Sequence, residues 1–344
     1  MIWLTWRQFR GSAVMMAAVL GVLAAVLAVT GPGLASGYAS GIAACAQDGS
    51  CGRFYDRFFD TYQLPFMALT LVVLLLPALA GLFWGAPLIT RELEAGTHLL
   101  VWNQSITRAR WLTVKLGLVG LVTVAATGLC GLMVTWWSDP LDKSAADGLG
   151  LMAPLVFGAR GIAPMGYAAF AFVLGVTVGM LVRRMLPAMA LTLALFAVVQ
   201  LAMPMLVRPH LMSPVTASFE LGQANVDGIG MDRDEGGAVH VMLRSAVPGH
   251  AGAWVLSSEL VDPSGRTAGA EGTVGVSTTS GPCAPSGGMD TCVAEINRLG
   301  YRQQATYHPL DRFWPFQWIE TGIYVLLTAG LAWFSFWWTR RRLS

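Results

Sequence analysis

Six segments of the chain are apolar over a length that matches the core of a membrane: residues 13–30, 64–89, 111–137, 162–182, 186–207 and 319–338. A hydrocarbon layer of about 30 Å takes about 20 helical residues to cross. No water is available there to satisfy peptide groups, so segments of this kind have to be helices. Composition agrees: of 344 residues, 55% are hydrophobic and 12% charged, against about 25% charged in a soluble protein. The expected fold is an all-α polytopic membrane protein with six transmembrane helices. Net charge is +2, so bulk charge points to no nucleic-acid partner.

The segments are not uniform. Pro65, Pro77 and Pro87 interrupt the second, where neighbouring helices have to re-satisfy the freed carbonyls. Residues 149–182 are too long for one simple span, and Pro154, Gly158, Arg160, Gly161 and Pro164 break them early, which places Arg160 at an interface. Before the first span, Ile2, Trp3, Trp6 and Phe9 share one helical face and Arg7 and Arg10 lie off it. A short amphipathic helix in the membrane surface reads this way, and so does the basic flank of a span. The first apolar run is longer than the roughly 7–15 residues of a signal-peptide core, so an uncleaved span is expected. Residues 31–63 read as a polar, Gly-rich loop.

Residues 208–314 differ in kind. They are polar, rich in Gly, Ser and Thr, and hold most of the acidic residues. Residues 238–243 and 253–260 have strand patterns, and 273–288 reads as loop. A small, β-containing extracytoplasmic domain between helices 5 and 6 is therefore expected, dividing the chain into 1–207, 208–314 and 315–344. Phe313, Trp314, Phe316 and Trp318 read as an aromatic belt at a membrane surface.

Charge orients the spans. Arg7, Arg10, Arg91, Arg108, Arg110, Lys115, Arg183, Arg184, Arg340, Arg341 and Arg342 fall on one side, whereas the opposite short loops hold Arg53, Arg57, Lys143 and Arg160. By the positive-inside bias both termini are cytoplasmic, in the cell membrane. Cys45, Cys51, Cys283 and Cys292 then lie outside, where disulfides form. They make two local pairs in sequence, but four cysteines allow three connectivities. Cys130 lies in an apolar run.

No Gly-x-x-x-x-Gly-Lys-Ser/Thr, His-Glu-x-x-His or Gly-x-Ser-x-Gly occurs, and the five histidines are scattered away from cysteine. The expectation is a non-enzyme with no catalytic, cofactor-binding or metal-binding residue of its own. Spans with so little charge also argue against ion-coupled transport. Glu320, near the outer end of the last span, is read in two ways. It is an interfacial carboxylate, or a gating residue paired with Arg160 or with an arginine near the belt.

That leaves residues 91–115, RELEAGTHLLVWNQSITRARWLTVK, the longest positively biased interruption between two spans. Topology alone does not require its acidic pair. The pattern Arg91-Glu92-Leu93-Glu94-Ala95-Gly96-Thr97, followed by a Ser/Arg-rich return, resembles the cytoplasmic stretch of ABC-2 type transporter permeases. Tyr307–Glu320 is similar to permeases of this class from actinobacteria.

The resemblance implies a dimer with a second copy or a sister permease. It also implies a separate cytoplasmic ABC ATPase subunit that carries ATP and Mg. Glu92, Glu94, Gly96, Thr97 and His98 would form the ATPase-coupling region, with 98–104 as a short coupling helix. An apolar bundle suits export of a hydrophobic or amphipathic compound. The alternative is a membrane-anchored receptor or sensor whose outer domain binds a ligand, motivated by the size of 208–314.

Overall fold

The computed structural model describes residues 2–46, 51–96, 107–144, 149–231, 239–268, 272–277, 280–284 and 288–341. They divide into two compact units. The first comprises Met1–Ser144, Leu155–Leu211 and Trp314–Ser344; the second comprises Ala145–Pro154 and Met212–Phe313.

The first unit is helical. α1 (Ile2–Cys45) leads to α2 (Gly52–Ala80), which passes through a π-helical turn (Gly81–Gly85) into α3 (Ala86–Glu94). Then come α4 (Arg108–Lys143), the short α5 (Pro154–Phe157), α6 (Ala163–Val182) and α7 (Met185–Ala202). A second π turn (Met203–Val207) and a 3₁₀ turn (Arg208–His210) extend α7, and α9 (Phe313–Arg341) ends the described chain. Among the described residues six helices are long and apolar enough to cross a membrane: Phe9–Cys45, Gly52–Glu94, Arg108–Lys143, Ala163–Val182, Met185–His210 and Leu310–Arg341. Each is built on one of the six apolar segments.

The helices overrun those segments. α1 has 44 residues, about 66 Å at 1.5 Å per residue, some twice the thickness of a hydrocarbon core. Residues 2–10 are its first turns rather than a separate surface helix. Most of 31–63, expected as loop, is helical as well, because small residues let α1 be packed closely. Gly31 lies against Trp136 and Trp137, and Gly41 lies against the Phe54 ring. Tyr38, Phe54, Phe58 and Tyr62 form a chain of ring contacts between α1 and α2. The Cys45–Cys51 disulfide closes the hairpin. Hydropathy reports which residues suit lipid, not where a helix ends.

α6 is the centre of the unit. From Ala163 to Met180 no residue is exposed, in keeping with a helix that is apolar on every side. Lipid offers no hydrophobic drive for helix association, so close packing has to supply it. Here glycine supplies it. A Cβ on Gly81 would lie 2.6 Å from the Ala171 carbonyl oxygen, and one on Gly85 would lie 2.5 Å from that of Phe172. A Cβ on Gly179 would lie 2.8 Å from the Ala86 carbonyl oxygen, and one on Gly175 would collide with that of Gly81. The π turn belongs to the same contact: the Ala86 N–H donates to the Gly81 oxygen, five residues back, and Pro87, which has no N–H, follows at once. α9 closes on α6 through the Thr177 and Ser335 hydroxyls, 2.9 Å apart.

The second unit holds two three-stranded antiparallel sheets. β1 (Val215–Phe219), β4 (Trp254–Val261) and β6 (Arg302–His308) are ordered β1-β6-β4; β2 (Val226–Met231), β3 (Val239–Leu243) and β5 (Thr273–Val274) are ordered β2-β3-β5. The predicted strands are β3 and β4. Helix α8 (Met289–Arg298) covers a core of Val239, Val241, Leu260, Val274 and Ile296, and Cys292 on it is bonded to Cys283.

The aromatic belt is only half a belt. Trp314 and Trp318 are exposed, 54% and 66%, while Phe313 and Phe316 are buried. Four residues apart on a helix, the tryptophans share a face that the phenylalanines do not.

Gly175→Ala is expected to destabilise the protein by about 1–3 kcal/mol, because the backbones cannot part without losing the whole contact. Gly117→Ala, where nothing lies within 4 Å, is expected to change stability by less than about 1 kcal/mol. Thermal unfolding of both variants in detergent micelles checks the difference.

Candidate functional site

The polar stretch after the second span begins on α3. The helix ends as its sequence dictates. Gly96 adopts φ +66°, the left-handed conformation that closes a helix, and its N–H donates to the Leu93 oxygen. Thr97, His98 and the expected helix over 98–104 lie outside the described residues. The chain re-enters at Thr107, whose hydroxyl accepts the Arg110 N–H at the start of α4.

Both glutamates of the stretch are engaged within the chain. Glu92 Oε1 lies 2.5 Å from Lys115 Nζ, and Glu92 Oε2 accepts the Trp111 indole N–H at 3.2 Å. Lys115 Nζ also donates to the Leu88 oxygen at 3.2 Å and sits 4.8 Å from the Trp111 ring centre. Lys115, counted among the charges of the cytoplasmic side, has a side chain only 3% exposed. An ammonium so placed needs a carboxylate and a carbonyl to offset its lost hydration, and Glu92 and Leu88 provide them. Glu94 Oε1 accepts the Met185 N–H at 2.8 Å. A carboxylate there satisfies one of the open N–H groups of α7 and meets the positive end of its dipole. The turn between α6 and α7 is tight, and Arg183 takes φ +58° to make it. Beside this cluster an open groove of about 290 Å³ is lined by Phe9, Ser12, Trp84, Leu88 and Arg91.

The other end of the unit holds two buried ion pairs. Glu320 is fully buried, so it is not an interfacial carboxylate reaching for water. Arg208 grips it with both prongs, Nε to Oε2 at 2.7 Å and Nη2 to Oε1 at 2.9 Å. The Tyr167 hydroxyl donates to Oε1, and the guanidinium lies 4.2 Å from the centre of the Phe157 ring. Arg160 is buried too, not interfacial, and its partner is Asp142, with Nε to Oδ2 at 3.1 Å. Ser138 supports that carboxylate from one turn back on α4, and Phe66 lies under the guanidinium. Arg160 and Glu320 therefore serve two separate pairs. Between them Gln317 accepts the N–H groups of Ile162 and Ala163 and donates to the Phe157 oxygen, which caps α6 from α9.

The cysteines are joined as Cys45–Cys51 and Cys283–Cys292, the local connectivity of the three, and Cys130 is free and buried. Among the described residues no three His, Cys, Asp or Glu side chains lie together.

Sequence reasoning missed Trp111, Asp142, Tyr167, Arg208 and Gln317. One signal was available: a lysine four residues into an apolar run is expensive unless paired, and Lys115 implied a nearby acid. Arg208 and Asp142 lie just outside the apolar segments 186–207 and 111–137, so neither counted as a charge within a span.

Removing one member of the Arg208–Glu320 pair leaves the other charge buried. Arg208→Met and Glu320→Gln are each expected to cost about 3–5 kcal/mol. The double variant is expected to cost less than their sum by about 0.5–3 kcal/mol, read from unfolding in detergent micelles.

The family model described as ABC-2 membrane transporter related matches residues 17–208. Neither the curated proteins nor the solved structures contain a match.

Proposed function

Because the chain belongs to the ABC-2 membrane transporter related family and has six helices long and apolar enough to cross a membrane among its described residues, we propose that it is the permease of an ATP-driven exporter. A separate cytoplasmic ABC ATPase supplies the energy, with ATP and Mg bound on that subunit. It engages the segment between α3 and α4. The observation that carries this reading is how that segment is mounted. Its departure is fixed by the Gly96 turn, its return by the Thr107 cap, and the helix before it is bonded to both α4 and α7. A segment held at both ends moves the helices it is fastened to.

The orientation follows. The basic residues Arg91, Arg108, Arg110, Arg183 and Arg184 crowd one end of the bundle, which supports a cytoplasmic position for that end and for both termini. The disulfides then lie outside, in an oxidising compartment of the cell surface. A second copy or a sister permease completes the pathway. The long apolar face of α1, with Val14, Val22, Val26 and Val29 exposed, is free to meet it or lipid. The cargo is a hydrophobic or amphipathic compound, in keeping with membrane-spanning helices that present mostly apolar side chains.

Replacing residues 97–106 with a Gly/Ser linker of equal length is expected to lower co-purification of the ATPase at least tenfold, with the permease still folded. Full retention of the ATPase would place the docking surface elsewhere. In sealed cells treated with a reductant, a membrane-impermeant maleimide is expected to label Cys45 and Cys51 and to spare Cys130. Labelling of Cys45 and Cys51 only after the membrane is opened would invert the topology.

A further inference from the structure

We propose that Trp111 and Lys115 are positioning residues for energy coupling. With Glu92 they form a staple that carries displacement of the segment between α3 and α4 into α4, without touching the ATPase. The inference rests on the exporter reading and adds the load path within the chain.

Three observations lead to it. The first is that Glu92 has no oxygen left over: one faces Lys115 Nζ at 2.5 Å and the other accepts the Trp111 indole N–H at 3.2 Å. A carboxylate so occupied is a weaker docking group, because its charge is already offset by Lys115 and its orientation is fixed by Trp111. The second is place. Glu92 is in the last turn of α3, Trp111 in the first turn of α4 and Lys115 one turn further on. The bonds therefore join the two helices where the segment leaves and returns. The third is burial. Trp111 is 1% exposed and the Lys115 side chain 3%, so neither can be reached by a protein docking outside.

The staple is stiff for a physical reason. Lys115 is held from three directions, by Glu92, by the Leu88 oxygen and by the Trp111 ring. At 3% exposure the Lys115 side chain has little water to exchange these contacts for. α3 cannot slip on α6 either, because Gly85 and Gly179 bring the backbones into contact. Glu94, bonded to the Met185 N–H, ties the same turn to α7. Displacement of the segment therefore moves α3 together with α4, α6 and the start of α7.

The test uses the full permease with its ATPase in lipid nanodiscs and needs no cargo. For Lys115→Met, Trp111→Phe and Glu92→Gln, two quantities are read: ATPase retained, and stimulation of ATP hydrolysis by the permease per retained ATPase. Retention is expected to stay within about twofold of wild type. Stimulation is expected to fall about fivefold or more for Lys115→Met and Glu92→Gln, and to be partly regained in Lys115→Arg. A merely structural role would reduce the amount of folded complex and leave stimulation per complex unchanged. Wild-type stimulation in Lys115→Met, or loss of the ATPase in Glu92→Gln alone, would overturn the proposal. If the wild-type chain retains no ATPase, the exporter reading itself fails. The staple is then decided on the permease alone: the melting shifts of Glu92→Gln and Lys115→Met are non-additive in the double variant if it exists, and additive if it does not.

Discussion

The contact on which the first unit depends is backbone against backbone. Gly81 and Gly85 face Ala171, Phe172 and Gly175, and Gly179 faces Ala86. In water, burying apolar side chains would hold such helices together. In lipid the surroundings are as apolar as the side chains, so the gain has to come from distance. Glycine lets the axes approach, and the π turn at Gly81–Gly85 widens the helix where it meets α6. Three helices are referred to α6: α3 rests on it, α7 leaves it by a tight turn, and α9 caps its start and bonds to its middle.

Around this apolar centre the ionisable residues are distributed with economy. Lys115–Glu92 lies at one end; Arg208–Glu320 and Arg160–Asp142 lie at the other. Each pair joins two different elements, and each is supplemented by a hydroxyl, an indole or a carbonyl. Buried pairs of this sort contribute little net stability compared with apolar side chains of the same volume. What they do supply is register, because a misplaced helix would leave a charge without its partner. For a permease whose helices have to move and return, defined end positions are a useful property.

Legibility of the sequence followed the range of the forces involved. The six apolar segments were plain, and so were the strands at β3 and β4, because both depend on local pattern. The motif from Arg91 to Thr97 was legible as a family resemblance, and Gly96 as a helix stop. The roles of Glu92 and Glu94 were not. Assigned by resemblance to the ATPase-coupling region, they are bonded to Trp111, Lys115 and Met185, partners up to 91 residues away. The reach of α1 and α2 past the membrane-length core was also hidden, since Gly41 against Phe54 is a tertiary contact.

The sequence by itself determined that this chain crosses a membrane six times, that a β-containing unit precedes the last crossing, and that its family is that of ABC-2 transporter subunits. Solvent dictates the first of these, local periodicity the second, and inherited pattern the third. Tertiary structure alone decided which charges are paired. Glu320, read as an interfacial carboxylate or as the partner of Arg160 or of an arginine near the belt, found Arg208, and Arg160 found Asp142. The reason is the cost of burying an ion, which selects the partner by proximity in the folded bundle and takes no account of order along the chain.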